Sequence, residues 1–271
     1  MLGESQVKQF RRDGFLNAGK VLDDDTVDLL RSELDRVMDE RDREDVPQPV
    51  LLRNLNSRVP DRPVWQIINI WEASRAFRKL AENREIVRCV SQLTGASQLR
   101  VWHDQIQYKP AETGGVTMWH QDSPLWPILQ PKTSQVTAWV ALDDTDESNG
   151  CMSMVVGSHS WGDQIAHLRS LEGYDRMCAE DPSGNKVRVR LCPVEKGCVH
   201  YHHGLTWHGS GANTSGRPRR AIAIHYMTEQ TVYDSTGNHA MEQFVEVGAG
   251  SRLEGEHFPV VWAKASGSVV P

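Results

Sequence analysis

The chain has 271 residues and a mass of 30.6 kDa, long for one all-helical domain and ordinary for one large β-rich domain. A formal charge of -6, a pI near 6.0 and the lack of any dense Lys/Arg block argue against nucleic acid or an anionic membrane as partner. The five cysteines are scattered without a Cys-x-x-Cys pair, which argues against a zinc ribbon or disulfide framework and suits a reducing, cytoplasmic setting. Met1 to Ser5 run straight into a polar amphipathic segment and no window is apolar for long enough to cross a bilayer, so neither a secretory leader nor a membrane span is expected.

Ser5 to Asp13 reads as a short helix with Val7 and Phe10 on one face, stopped by Gly14. A stronger helix follows, with Asp23 to Asp25 at its N-terminus and Val27, Leu30, Leu34, Val37 and Met38 at helical spacing. The charged, Pro-dotted stretch from Asp39 to Arg62 reads as loop, and Pro47 to Arg62 as a candidate lid over a pocket. Trp71 to Leu93 gives one or two further helices ending at Gly95.

From Leu99 onward, short Val/Ile/Thr/Trp/Tyr-rich runs alternate with Gly, Asn, Asp and Pro, as successive strands do. The expected strands are Leu99 to Tyr108, Val136 to Leu142, Cys151 to Val156, Lys186 to Leu191, Cys198 to His202 and Arg220 to Thr228. Helices in front and strands behind predict an α+β, mainly β fold, a sandwich or jelly roll with helices on its outer face. The expected organisation is a single domain over 1–271: a mainly helical part over 1–97, a jelly-roll core over 98–230 and a C-terminal extension over 231–271. Ser266 to Pro271 are expected to be disordered.

Among eleven histidines only His120 sits in an H-x-D or H-x-E arrangement. Residues two apart on an extended strand share a face, so His120 and Asp122 can converge on one ion while Gln121 turns away. An imidazole and a carboxylate suit Fe(II), Mn(II) or Zn(II), and a second histidine would complete a facial triad with open positions. The tripeptide alone is not distinctive. His208, far along the chain and followed by small residues, is the candidate third ligand. Eleven residues later, Arg219 offers a planar fork able to hold the far carboxylate of a diacid, with Arg220 the alternative if the strand register slips by one.

Met118-Trp119-His120-Gln121-Asp122, Ala138-Trp139-Val140-Ala141-Leu142-Asp143-Asp144, Asn149-Gly150-Cys151-Met152, Gly157-Ser158-His159 and His208-Gly209-Ser210-Gly211-Ala212-Asn213 together resemble the phytanoyl-CoA dioxygenase family of 2-oxoglutarate oxygenases. With the opening Phe10 and Asp13-Gly14-Phe15, the likeness spans Ser5 to Met227. The resemblance implies a double-stranded β-helix, a cupin-like jelly roll with flanking N-terminal helices. It implies His120, Asp122 and His208 as iron ligands, Arg219 as the clamp on 2-oxoglutarate, Ser210 as a hydroxyl assisting it, and Thr137 and Trp139 as lining of the co-substrate pocket.

The implied activity uses Fe(II), 2-oxoglutarate and O₂ to hydroxylate a small apolar or amphipathic molecule, releasing succinate and CO₂. Desaturation or cyclisation stay open, whereas halogenating relatives lack the carboxylate that Asp122 supplies here. Trp126, just after the metal motif, is the candidate substrate wall. Two departures from the family pattern are Val156, where proline is usual, and the cluster His200-Tyr201-His202-His203. On a strand His200 and His202 share a face, read here as polar residues near the pocket rather than a second metal site, and His159 as a hydrogen-bonding turn residue. The competing readings are a non-catalytic metal- or ligand-binding jelly roll and a cupin-type metal enzyme that does not use 2-oxoglutarate; a diacid clamp at Arg219 and Ser210 separates both from the first.

Overall fold

The computed structural model describes residues 1–264, so the tail expected to be disordered, Ser266 to Pro271, lies outside the described residues. The helices are α1 (Glu4–Asp13), α2 (Asp24–Asp39), α3 (Ile70–Ala73), α4 (Arg75–Ala81), α5 (Arg84–Thr94) and α6 (Ile165–Arg169). The strands are β1 (Phe15–Lys20), β2 (Leu51–Asn54), β3 (Trp65–Ile68), β4 (Gln98–Lys109), β5 (Thr117–His120), β6 (Leu129–Gln130) and β7 (Gln135–Ala141). They continue with β8 (Met152–Val155), β9 (Val189–Cys192), β10 (Cys198–His203), β11 (His208–Ser210), β12 (Arg219–Thr228), β13 (Val232–Tyr233) and β14 (Val260–Ala263).

Two antiparallel sheets face each other. The larger has the order β1-β10-β7-β12-β4-β3-β2 with β14 also paired to β4, and the smaller the order β5-β11-β8-β9. This is the jelly roll that the sequence predicts. Period-two alternation assigns its faces. On β7, Val136, Ala138 and Val140 point outward into a core with Leu30, Leu34, Phe77 and Val90 of the helices, whereas Trp139 and Ala141 point inward against Met152 and Met154 of the smaller sheet. On β12, Ile222, Ile224 and Tyr226 join the helical core and Ala221 and Ala223 the inter-sheet core. Each fully buried aliphatic side chain there contributes about 1.5–3 kcal/mol.

Helix ends follow local chemistry. Asp23 caps α2 by accepting from Thr26 N, and Gly14 ends α1 at φ 86, where a Cβ would lie 2.5 Å from His159 Nδ1. Trp71 to Leu93 forms three helices rather than one or two, because Ser74 is extended and Asn83 opens α5 as an N-cap. The stretch expected to be loop contains β2, and β1 and β3 were not expected either. β1 carries Asn17 and Gly19, whose period is obscured by a bulge, and β2 and β3 are four residues each. All three belong to the larger sheet, so the N-terminal part supplies edge strands as well as helices.

Candidate metal centre

His120 ends β5 and His208 opens β11, and the two are paired in register. Asp122 is not on the strand. The chain turns immediately after His120, and Asp122 has helical backbone angles (φ -70, ψ -56) at the start of a 3₁₀ turn. The shared strand face argued from the tripeptide is therefore replaced by a turn that delivers the carboxylate to the same place. Gln121 points away, as expected: its Nε2 donates to the carbonyls of Gly162 and Leu205 and its Oε1 accepts from Gln164 N, fastening the turn.

One ligand atom from each of His120, Asp122 and His208 lies within 4.8 Å of the others. Asp122 Oδ1 is 3.7 Å from His120 Nε2 and 3.5 Å from His208 Nε2, near the ~3.0–3.4 Å expected of atoms that share one ion at about 2.1 Å. Hydrogen bonds prepare all three. His120 Nδ1–H donates to the Met118 carbonyl at 2.8 Å and His208 Nδ1–H to the Thr206 carbonyl at 2.9 Å, which leaves both Nε2 lone pairs free. Burial depresses both imidazoles to about 4, so they are neutral at pH 7. Burial opposes ionisation of Asp122, but His208 and the His202 hydrogen bond outweigh it and hold the carboxyl well below its usual range.

Asp122 Oδ2 accepts from Thr137 Oγ–H at 2.9 Å and from His202 Nε2–H at 3.0 Å, so Oδ1 is the oxygen turned to the histidines. Because the Thr137 proton is committed to Asp122, His225 must donate its Nδ1–H to Thr137 Oγ, at 2.8 Å. His202, Thr137 and His225 form one cross-strand row over β10, β7 and β12. Thr137 thus supports the carboxylate, a more specific place than the pocket lining expected of it. His200 shares the inward face with His202 and stacks on Phe15; only His202 touches the triad.

Two adjoining cavities border the triad. One is lined by Trp139, Met152, Thr117, Gly209 and Ser210. Arg219, fully buried, lies behind Ser210: its Nη2 donates to Ser210 Oγ at 3.1 Å, its Nε and Nη2 to the Gly150 carbonyl and its Nη1 to the Gln107 carbonyl. Burial lowers this guanidinium to about 10, still charged at neutral pH. Arg220 faces the other way and bonds Asp143 through Nε and Nη2, so of the two it is Arg219 that reaches Ser210. The other cavity is lined by Trp126, Leu125, Ile68, Gln105, His239 and Arg53. Arg53 and Leu55 come from the segment expected to be a lid; in part it is the edge strand β2. His159 sits in a 3₁₀ turn and bonds the Arg11 carbonyl.

Sequence reasoning missed Gln105, Gln107 and Lys109 on β4 and His225 on β12. A signal existed: His103, Gln105, Gln107 and Lys109 alternate with Asp104, Ile106 and Tyr108, a polar stripe along one face of a strand.

Comparisons with known proteins identify the family and the fold. The phytanoyl-CoA dioxygenase (PhyH) family model matches residues 10–221. The rat peroxisomal phytanoyl-CoA dioxygenase is 27% identical over 257 residues, 89% of this chain and 73% of the relative. The ectoine dioxygenase of Streptomyces avermitilis is 24% identical over 255 residues, 89% of this chain and 81% of the relative. Among solved structures, the non-haem α-ketoglutarate-dependent carbocyclase SnoK of nogalamycin biosynthesis superposes with a TM-score of 0.75 at 27% identity, covering 96% of each chain. No helix among the described residues is long and apolar enough to cross a membrane. The chain belongs to the phytanoyl-CoA dioxygenase family of iron(II)- and 2-oxoglutarate-dependent oxygenases.

Proposed function

We propose that His120 Nε2, Asp122 Oδ1 and His208 Nε2 hold the iron, that Arg219 and Ser210 hold the far carboxylate of 2-oxoglutarate beside Trp139, and that the reaction hydroxylates a small amphipathic metabolite against Trp126. The observation that carries the reading is the convergence of three unprotonated ligand atoms, each with its second heteroatom already engaged. When bound, iron with 2-oxoglutarate and O₂ supplies the oxidation, in which the 2-oxo acid leaves as succinate and CO₂ and one oxygen atom enters a substrate C–H bond.

The chain's own groups do the positioning. Thr137 and His202 fix the Asp122 carboxylate, so a single oxygen is presented to the metal. The Gly150 and Gln107 carbonyls fix the Arg219 plane. Trp126, Leu125 and Ile68 offer an apolar wall while Arg53, Gln105 and His239 offer polar groups, which supports an amphipathic substrate. The edge strand β1 pairs with β10 and the N-terminal strand β3 pairs with β4, which supports reading 1–271 as one oxygenase domain. Five free cysteines suit a cytoplasmic setting.

Succinate release measured with Fe(II), 2-oxoglutarate and air across a library of small metabolites tests the activity. The reading expects a basal, metal-dependent release that rises severalfold with the right substrate. Equal release with and without iron would contradict it.

A further inference from the structure

Lys109 closes β4 and stands opposite Arg219 in the β4–β12 register, with no exposed surface. Its Nζ donates to Ser210 Oγ at 2.6 Å, to the Gly211 carbonyl at 2.6 Å and to the Ser210 carbonyl at 3.2 Å. All three donors are used, yet none meets a carboxylate. Asp143, the acid nearest in effect to Arg219, is already bonded to Arg31 and Arg220. Burial and the Arg219 charge push the Lys109 ammonium well below its usual range. Two adjacent buried cations without an anion repel each other and have each lost their hydration, an arrangement that favours a bound anion.

Ser210 shows where that anion meets the protein. A hydroxyl has two acceptor lone pairs and one proton. Lys109 Nζ and Arg219 Nη2 occupy both lone pairs of Ser210 Oγ, so its proton is left to point elsewhere. Ser210 lines the cavity beside His208, whereas Lys109 and Arg219 lie behind it.

We propose that Lys109 is a positioning residue for the co-substrate: together with Arg219 it turns the Ser210 hydroxyl into a fixed donor aimed at the far carboxylate, and so selects a diacid over a monoacid. The inference rests on the reading of His120, Asp122 and His208 as the iron site and of Ser210 with Arg219 as the diacid clamp.

The test compares 2-oxoglutarate with 2-oxobutyrate, which keeps the 2-oxo acid head but ends in a methyl group. Both are titrated anaerobically into the Fe(II)-loaded protein, and the weak visible charge-transfer band of the chelate is read. In Lys109→Met the dissociation constant for 2-oxoglutarate should rise at least tenfold, while that for 2-oxobutyrate and the iron stoichiometry stay within twofold. Adding Ser210→Ala to Lys109→Met should cost less than a further twofold, since the hydroxyl has already lost its orientation. If Lys109→Met does not fold, Lys109→Gln carries the test with the same expected outcomes, because its amide is polar enough for the buried site but one bond shorter and uncharged, so it does not hold Ser210 Oγ as the ammonium does. Equal weakening of both acids, the mark of a merely structural lysine, would overturn the proposal, as would an unchanged preference. A wild-type protein that gives the band with neither acid would overturn the iron and 2-oxoglutarate reading, and this inference with it.

Discussion

Replacing Thr137 with Val changes shape little and removes one hydroxyl, yet that hydroxyl joins two parts of the centre. It donates to Asp122 Oδ2 at 2.9 Å and accepts from His225 at 2.8 Å. After the change Asp122 keeps only the His202 hydrogen bond on that oxygen, and the carboxylate is freer to rotate away from the histidines. Loss of such an outer partner costs about 10–100-fold in metal affinity, or about 1.4–2.7 kcal/mol. The buried His225 Nδ1–H also loses its acceptor, which should cost about 1–3 kcal/mol of folding stability in the metal-free protein. Anaerobic Fe(II) competition against a chromophoric chelator measures the first quantity and urea unfolding the second. Thr137→Ser should restore both. Iron affinity in Thr137→Val within about twofold of wild type would refute the claim that Thr137 orients the carboxylate.

Arg219→Lys should raise the KM for 2-oxoglutarate at least tenfold with iron binding unchanged, because a single ammonium cannot copy a plane fixed by the Gly150 and Gln107 carbonyls; an unchanged KM in steady-state assays would remove Arg219 from the clamp. Arg220→Gln should instead lower stability by about 1–3 kcal/mol through its lost pair with Asp143, leaving that KM alone. Gly150 has φ 80, and a Cβ there would lie 2.5 Å from the Gly211 carbonyl oxygen, so Gly150→Ala should lower the thermal midpoint and weaken 2-oxoglutarate binding together. Burial holds His120, His203, His208 and His239 at about 4 and His225 at about 3. These folded values lie below the unfolded ~6.5, so the unfolded chain binds protons that the folded one refuses. Stability of the metal-free protein should therefore be full above about pH 6.5 and fall towards pH 4, by about 1.4 kcal/mol per histidine per pH unit. Urea midpoints that are equal at pH 7.5 and 5.5 would contradict this.

The alternation of β7 and β12 was legible because their outward residues are aliphatic, and the helices were legible from apolar spacing and caps. β1, β2 and β3 were not, since each is short and β2 lies in the charged, Pro-dotted stretch whose composition resembles loop. In the centre, His120 and His208 stand in motifs, so the sequence marks them. Asp122 was found by an argument about strand faces that the turn at Ser123 replaces. Lys109, His202 and His225 act through partners remote in sequence, and pairing register, which one chain's sequence does not state, brings them together. The polar stripe on β4 hinted at Lys109 and the His200 to His203 cluster at His202, whereas no motif marked His225.

His120, Asp122 and His208 form the triad on which iron binding is proposed to depend. Anaerobic Fe(II) binding, quantified per chain by metal analysis after desalting, should give one iron in wild type and in His159→Ala, and none in His208→Ala, provided each remains folded by circular dichroism. A folded His208→Ala variant that retains a full equivalent of iron would contradict the assignment.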